Sequence, residues 1–132
     1  MNKDLVRHRL QRAHEALESA GILFSNNQLS ASVNRLYYAL FYAVLALLET
    51  KELSSSKHSG VRALLNKHFI KAGIVPKEFG RFYESLFRNR QEGDYVDYTV
   101  FSAQKVEELL AQSSQHLSEI ERIIRDLMAE HG

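Results

Sequence analysis

Apolar residues recur at steps of four and three from Val6 through Leu10, Ala13, Leu17, Ala20 and Phe24. That spacing puts them on one narrow stripe of a helix. Asn2 is suited to cap its start and Asn26-Asn27 to stop it. The next run, LSASVNRLYYALFYAVLALLET, begins near Leu29 or Ser30 and ends at about Thr50. Val33, Leu36, Leu40, Val44 and Leu47 form one stripe on it, and Tyr37, Phe41, Leu45 and Leu48 form a second beside the first. Two stripes predict burial on two sides, as for the central helix of a bundle or one at a dimer seam. Ala31, Ala39, Ala43 and Ala46 keep the helix slim. Arg35 is the lone charge in its interior, and it either snorkels to solvent or pairs with an acid elsewhere.

KELSSSKHSG interrupts the periodicity, and Ser55 or Ser56 is placed to cap a third helix from about Lys57 to Ala72. Val61, Leu64, Leu65 and Phe69 form its apolar face, and Gly73 suits a left-handed terminating turn. After Pro76, at a first-turn position that tolerates proline, a fourth helix carries Phe79, Phe82, Tyr83, Leu86 and Phe87 inward. It is expected to run to about Gln91 and to end at Gly93. A short connector with Asp97 or Thr99 as cap then leads into a last helix reaching about Met128. This helix matches the first in period, so the two are expected side by side. The pattern holds no convincing strand. The expected fold is all-α: an up-and-down bundle of about five helices in one domain spanning residues 1–132.

Composition narrows the chemistry. The 132 residues are 45% apolar and 25% charged, with one proline and six glycines, which suits a single helical core. The chain contains no cysteine, which excludes disulfides, thiolate metal sites and cysteine nucleophiles and agrees with a reducing cytoplasm. The first residues are charged from the third onward and lack the apolar core of a signal peptide. The longest apolar run, Leu36 to Leu48, is shorter than the roughly 18–20 residues that span a bilayer, so no membrane partner is expected. His8 and His14 lie six apart, off one helical face, and make a poor metal pair. Glu-x-x-His pairs, a His-Glu-x-x-His motif, a phosphate-cradling glycine loop and a nucleophile elbow are all missing from the sequence. Neither a metal nor a cofactor is expected.

Charge is uneven along the chain. Residues 57–90 hold eight basic side chains (Lys57, Arg62, Lys67, Lys71, Lys77, Arg81, Arg88 and Arg90) against Glu78 and Glu84. Residues 92–132 hold three basic side chains against nine acidic ones. Two readings fit: basic and acidic helices that pack together, or a patch for phosphate or nucleic acid. Two segments concentrate the candidate chemistry. Lys57-His58-Ser59-Gly60 opens a helix, where free amides and the helix dipole favour a phosphate. A structural role is the competing reading, with a serine cap, close packing at Gly60 and a hydrogen-bonded His58. The other segment, Arg88 to Tyr98, reads RNRQEGDYVDY. Arg88 and Arg90 are two apart and point to different sides of a helix. One is available to Asp94 or Asp97, the other to a ligand or partner.

NRLYYALFYA, SKHSGV and RNRQEGDY, in this order and at these separations, resemble the HEPN family of small helical proteins. The likeness covers nearly the whole chain. It implies an all-α homodimer that is a partner of a small nucleotidyltransferase, the two forming a toxin–antitoxin-like pair. Many members of the family are metal-independent ribonucleases with an Arg-x(4–6)-His motif and a tyrosine two residues past the histidine. Aligned on Arg88-Asn89, the arginine is Arg88, the tyrosine is Tyr95, and the histidine's place is taken by Gly93. The resemblance therefore implies a module that binds nucleotide or its transferase, with Lys57, His58, Arg88, Arg90, Asp94 and Tyr95 as contact residues. Tyr95 is the expected adenylylation acceptor. The alternatives are a ribonuclease toxin that uses Arg88 or Arg90 with His58, and a dimeric helical scaffold without ligand.

Overall fold

The computed structural model describes residues 1–95 and 101–130, apart from the side chains of 91–95. Among the described residues there are five α-helices and no strand: α1 (Lys3–Ser25), α2 (Leu29–Glu49), α3 (His58–Leu65), α4 (Lys77–Tyr95) and α5 (Ala103–Glu130). α3 runs directly into a π-helical turn, Asn66–Ile70. The fold is the expected all-α bundle.

α2 is its axis. Its apolar residues cover most of its circumference, so it packs against each of the other four α-helices. Val33, Leu36, Leu40, Val44 and Leu47 are fully buried, and so are Tyr37 and Leu48 from the second stripe. Ala39, Ala43 and Ala46 are fully buried as well, which permits close approach of the neighbouring helices. α1 folds back along α2 through a tight turn in which Asn27 takes a left-handed φ of 59°, a conformation asparagine tolerates. The hairpin is sewn by Ser32 Oγ donating to the Ala20 carbonyl at 2.8 Å and by the Asn2 amide donating to Glu49 at 3.0 Å. Among the described residues α2 alone would suit a bilayer by length and composition, but most of it is buried inside the bundle, as befits a core helix. Arg35 finds no acid among the described residues; its guanidinium lies over the Tyr38 ring, 5.7 Å from the centroid.

Several boundaries differ from the sequence expectation, each for a local reason. Asn2 caps α1 as expected, its side chain accepting from the Leu5 amide. α3, however, has Lys57 at its N-cap and no side-chain cap. Ser55 instead accepts from the Lys57 amide at 3.2 Å and bends the preceding turn. The expected third helix keeps α geometry only to Leu65 and finishes as the π turn at Ile70, two residues short of Ala72. Gly73, at φ 76°, does take the left-handed turn that follows. α4 passes through Gly93 and reaches Tyr95; glycine lowers helix stability by about 1 kcal/mol but does not forbid it. α5 begins at Ala103 and is capped by Ser102, whose Oγ accepts from the Lys105 amide at 3.1 Å. Asp97 and Thr99, the expected caps, lie outside the described residues. α5 lies against both α1 and α2, and His14 meets Glu121 across the α1–α5 seam.

Leu40, fully buried on α2, tests the axial role of that helix. Leu40→Ala is expected to cost about 2–5 kcal/mol of unfolding free energy, the range for leucines truncated in tight cores. Urea denaturation read by circular dichroism measures it, and a loss under about 1 kcal/mol would contradict the packing described.

Candidate functional site

Three helices converge on one aromatic cluster. α2 supplies Tyr37 and Phe41, which share a face one turn apart, with Tyr38 at their flank. α3 supplies His58 and, one turn later, Arg62. α4 supplies Tyr83, Phe87 and Arg90, whose spacing of four and three also sets them on a single face.

Tyr37 sits at the centre. It is fully buried, its ring stacks on Tyr83 at 5.7 Å and 15°, and its hydroxyl shares a 2.6 Å hydrogen bond with His58 Nδ1. The imidazole stacks on Phe41 at 4.4 Å and 15° and meets Tyr38 edge-on at 6.1 Å. His58 is thus pinned at one nitrogen and walled by three rings, and it remains half-buried rather than enclosed. The extended backbone of Lys57 (φ −112°, ψ 141°) delivers it there. Gly60 permits the approach: a Cβ at that position would fall 2.0 Å from Ser55 Oγ.

The cations bracket the histidine. The Arg90 guanidinium lies 5.1 Å from the Tyr37 ring centroid and 5.3 Å from that of Tyr38, and its Nη2 donates to the Tyr38 hydroxyl at 3.4 Å. Arg62 covers the Phe87 ring at 4.1 Å, and its Nη1 donates to both oxygens of Glu84, at 2.7 and 2.8 Å. The His58 pKa is lowered from its ordinary value, first by burial and then by the positive fields of Arg90 and Arg62. Burial pushes the Tyr37 and Tyr83 hydroxyls up, so both hold their protons at neutral pH. The result is a neutral imidazole beside a guanidinium, with aromatic faces around both. Such a group of residues can bind a phosphate through its cations, stack a nucleobase, and take up or release a proton at His58.

The residues singled out in the sequence do not all meet here. His58 and Arg90 do. Lys57 is exposed at the start of α3. Arg88 is exposed on another face of α4, in a groove with Lys77 and Arg81. Gly93 lies within α4, and the side chains of Asp94 and Tyr95 lie outside those described. Sequence reasoning took Tyr37 and Phe41 as core, counted Arg62 only within the basic segment 57–90, and assigned no site role to Tyr38 or Glu84. A signal for one part of the site was present: Phe79, Tyr83, Leu86 and Arg90 continue a single helical phase, whereas Arg88 continues that of Lys77, Arg81 and Glu84. Two other histidines serve packing or pairing: His14 meets Glu121, and His116 packs on α4. His116 stacks on Phe82 at 4.6 Å, and no group of three metal-ligating side chains occurs among the described residues.

Similarity to known proteins agrees with the fold. The family model described as HEPN domain matches residues 6–123. A protein of Thermotoga maritima named "UPF0332 protein" is 44% identical over 123 residues, covering 93% of each chain. Two proteins of Methanocaldococcus jannaschii carry the name "Putative toxin". One is 28% identical with 97% of each chain covered, and the other is 30% identical, covering 87% of this chain and 78% of its own.

The lowered His58 pKa has a consequence for folding. The unfolded chain binds this proton near pH 6.5, and the folded chain binds it only at lower pH. Just below pH 6.5 the unfolded state therefore holds more protons, and stability falls as pH drops through that window. Histidine NMR is expected to place the His58 midpoint below 6.5. Arg90→Ala should move it only part of the way back, because burial is the larger cause. A wild-type midpoint above 6.5 would contradict the site's electrostatics.

Proposed function

Because the chain belongs to the HEPN family, we propose that it is the toxin-type half of a toxin–antitoxin-like pair, and that its His58–Arg90 site binds the phosphate and base of RNA or of a nucleotide. One observation carries the reading: three helices bring a guanidinium, a neutral imidazole and partly exposed aromatic rings together in one place. Arg90 supplies charge to a phosphate oxygen, Tyr38 and Phe41 offer stacking faces, and Tyr37 fixes the orientation of the imidazole. The names of the M. jannaschii relatives favour a toxin-like role. The proposed partner is a small nucleotidyltransferase, and the proposed state is a cytoplasmic homodimer. Tyr95 remains the proposed acceptor of an adenylyl group from that transferase.

A second reading is favoured by the same pairing. Gly93 leaves the expected histidine position empty of any proton-transfer group, yet His58 reaches an arginine, Arg90, from across the fold. With Nδ1 protonated toward Tyr37, Nε2 is free to take the proton of a ribose 2′-hydroxyl. The 2′-oxygen would then attack phosphorus to give a 2′,3′-cyclic phosphate as the P–O5′ bond breaks, with the leaving 5′-oxygen taking a proton from water and Arg90 offsetting the charge that develops on the phosphate. This is metal-independent ribonuclease chemistry with the base relocated to α3.

Two measurements separate the readings. Fluorescence anisotropy with a single-stranded RNA oligonucleotide is expected to show about a tenfold or greater loss of affinity for Arg90→Ala, as for a charge-assisted phosphate contact. Tyr38→Ala should cost about 1–3 kcal/mol if a base stacks there. Wild-type affinity in both variants would sink the binding site. Incubation with RNA in EDTA then tests cutting. Cleavage lost in both His58→Ala and Arg90→Ala establishes the ribonuclease reading, and intact RNA leaves the binding role alone.

Co-expression with a genomic neighbour encoding a nucleotidyltransferase, followed by intact mass, checks the partner. Copurification and a mass increase of one AMP, lost in Tyr95→Phe, is the expected result. A complex that never forms would count against the pairing.

A further inference from the structure

A second feature of α4 faces away from the aromatic cluster. Lys77, Arg81 and Arg88 lie at positions i, i+4 and i+11, on one stripe about 16 Å long. All three are exposed, and none forms an ion pair among the described residues. They line a groove of about 490 Å³ between α4 and the π turn, which contributes Asn66 and Ile70. Gly80 lies in its lining, where an added Cβ would come within 2.5 Å of Ile70 Cδ1, so a side chain there would push Ile70 aside. Glu84 is the single acid lining the groove among the described residues, and both its oxygens already accept from Arg62 Nη1. Among the described residues the groove therefore presents three positive charges without an ion-pair partner, and its one acid is already paired.

The position of Glu84 matters as much as its pairing. It lines this groove, while its partner Arg62 lies over Phe87 and contributes to the field at His58. The Arg62–Glu84 pair is thus the threshold between the groove and the aromatic site. A strand bound at His58 and Arg90 can continue over that pair onto the stripe of Lys77, Arg81 and Arg88.

We propose that the groove between α4 and the π turn is a track for the phosphodiester backbone of single-stranded RNA, extending the His58–Arg90 site along the strand. The inference rests on the nucleic-acid reading of that site. RNA is the occupant that charge complementarity favours: a row of cations with no ion pair among the described residues, beside an asparagine amide and no aromatic platform, suits a backbone, not bases. The acidic α5 of a second copy is the competing occupant. Among its acids, Glu121 already meets His14 and Arg125, and Glu119 lies beside His116.

The test compares wild type, a groove variant (Lys77→Gln, Arg81→Gln and Arg88→Gln together) and Arg90→Ala. Each is titrated with a labelled 12-nucleotide single-stranded RNA and with a labelled dinucleotide over a range of salt. All three groove residues are exposed, and thermal melts verify folding. With three phosphate contacts removed, the slope of log affinity against log salt should become shallower by about 2, and affinity for the 12-mer should fall by roughly tenfold or more at low salt. Dinucleotide binding should stay within about twofold of wild type in the groove variant and fall in Arg90→Ala. If the groove variant binds the 12-mer as wild type does, the track is overturned while the His58–Arg90 reading stands. If the groove variant loses the 12-mer but Arg90→Ala changes nothing, the track stands and the site reading fails. If wild type binds neither RNA, or if the groove variant instead dissociates a dimer in sedimentation, the groove is not an RNA track.

Discussion

Burying a tyrosine hydroxyl at the centre of a helical bundle is costly unless it finds a partner. At Tyr37 the partner is His58 Nδ1, and the 2.6 Å bond between them decides much of the architecture. It fixes where α3 must begin, because His58 is the first residue of that helix. That start in turn needs the extended backbone of Lys57, the Ser55 brace and the bare Gly60 beside it. Stacking of Tyr83 on Tyr37 and packing of the tilted Phe87 ring against it then set the rotation of α4, which brings Arg90 over the same ring. One polar contact inside the core therefore orders three helices around a charged and aromatic recess.

The helices were readable from the sequence because their stripes are long and regular, and hydrophobic burial follows periodicity directly. Their ends were less readable, since ends are decided by single polar contacts. At the start of α5, Ser102 accepts from Lys105, although Asp97 and Thr99 are equally good caps by type. At α3, Ser55 was recognised as structurally significant, but its hydroxyl braces the turn before the helix instead of capping it. The π turn at Asn66–Ile70 leaves no periodic trace within five residues. A glycine at position 93 reads as a stop in sequence, yet the helix continues to Tyr95.

The site was legible in its parts and not in its pairing. His58 and Arg90 both stood out as chemistry-bearing residues, but they are separated by 32 positions, and nothing local says that α3 and α4 present them to the same ring. Matching the chain to a motif written along one helix drew attention to Arg88. Helical phase points instead to Arg90, two residues on, because it continues the buried face of Tyr83 and Leu86. Tyr37 was hidden by its success as a core residue. Its apolar ring satisfies the stripe, and only the fold reveals that its hydroxyl is spent on a histidine.

The same phase argument changes the meaning of the basic segment 57–90. Counted along the chain, it is one block of positive charge. Folded, α4 divides it: Arg90 joins Tyr37 and Tyr38, whereas Lys77, Arg81 and Arg88 face the π turn. Arg62 belongs to neither group alone, because Glu84 holds it between them. A solvated basic face would scatter its charges to lessen their repulsion, each cation near an acid of its own. Here the acid described on the stripe is taken by a cation from another helix, so the three cations have no ion pair among the described residues. Self-repulsion of that kind lowers stability in the free protein, and an anionic strand laid along the row would relieve it.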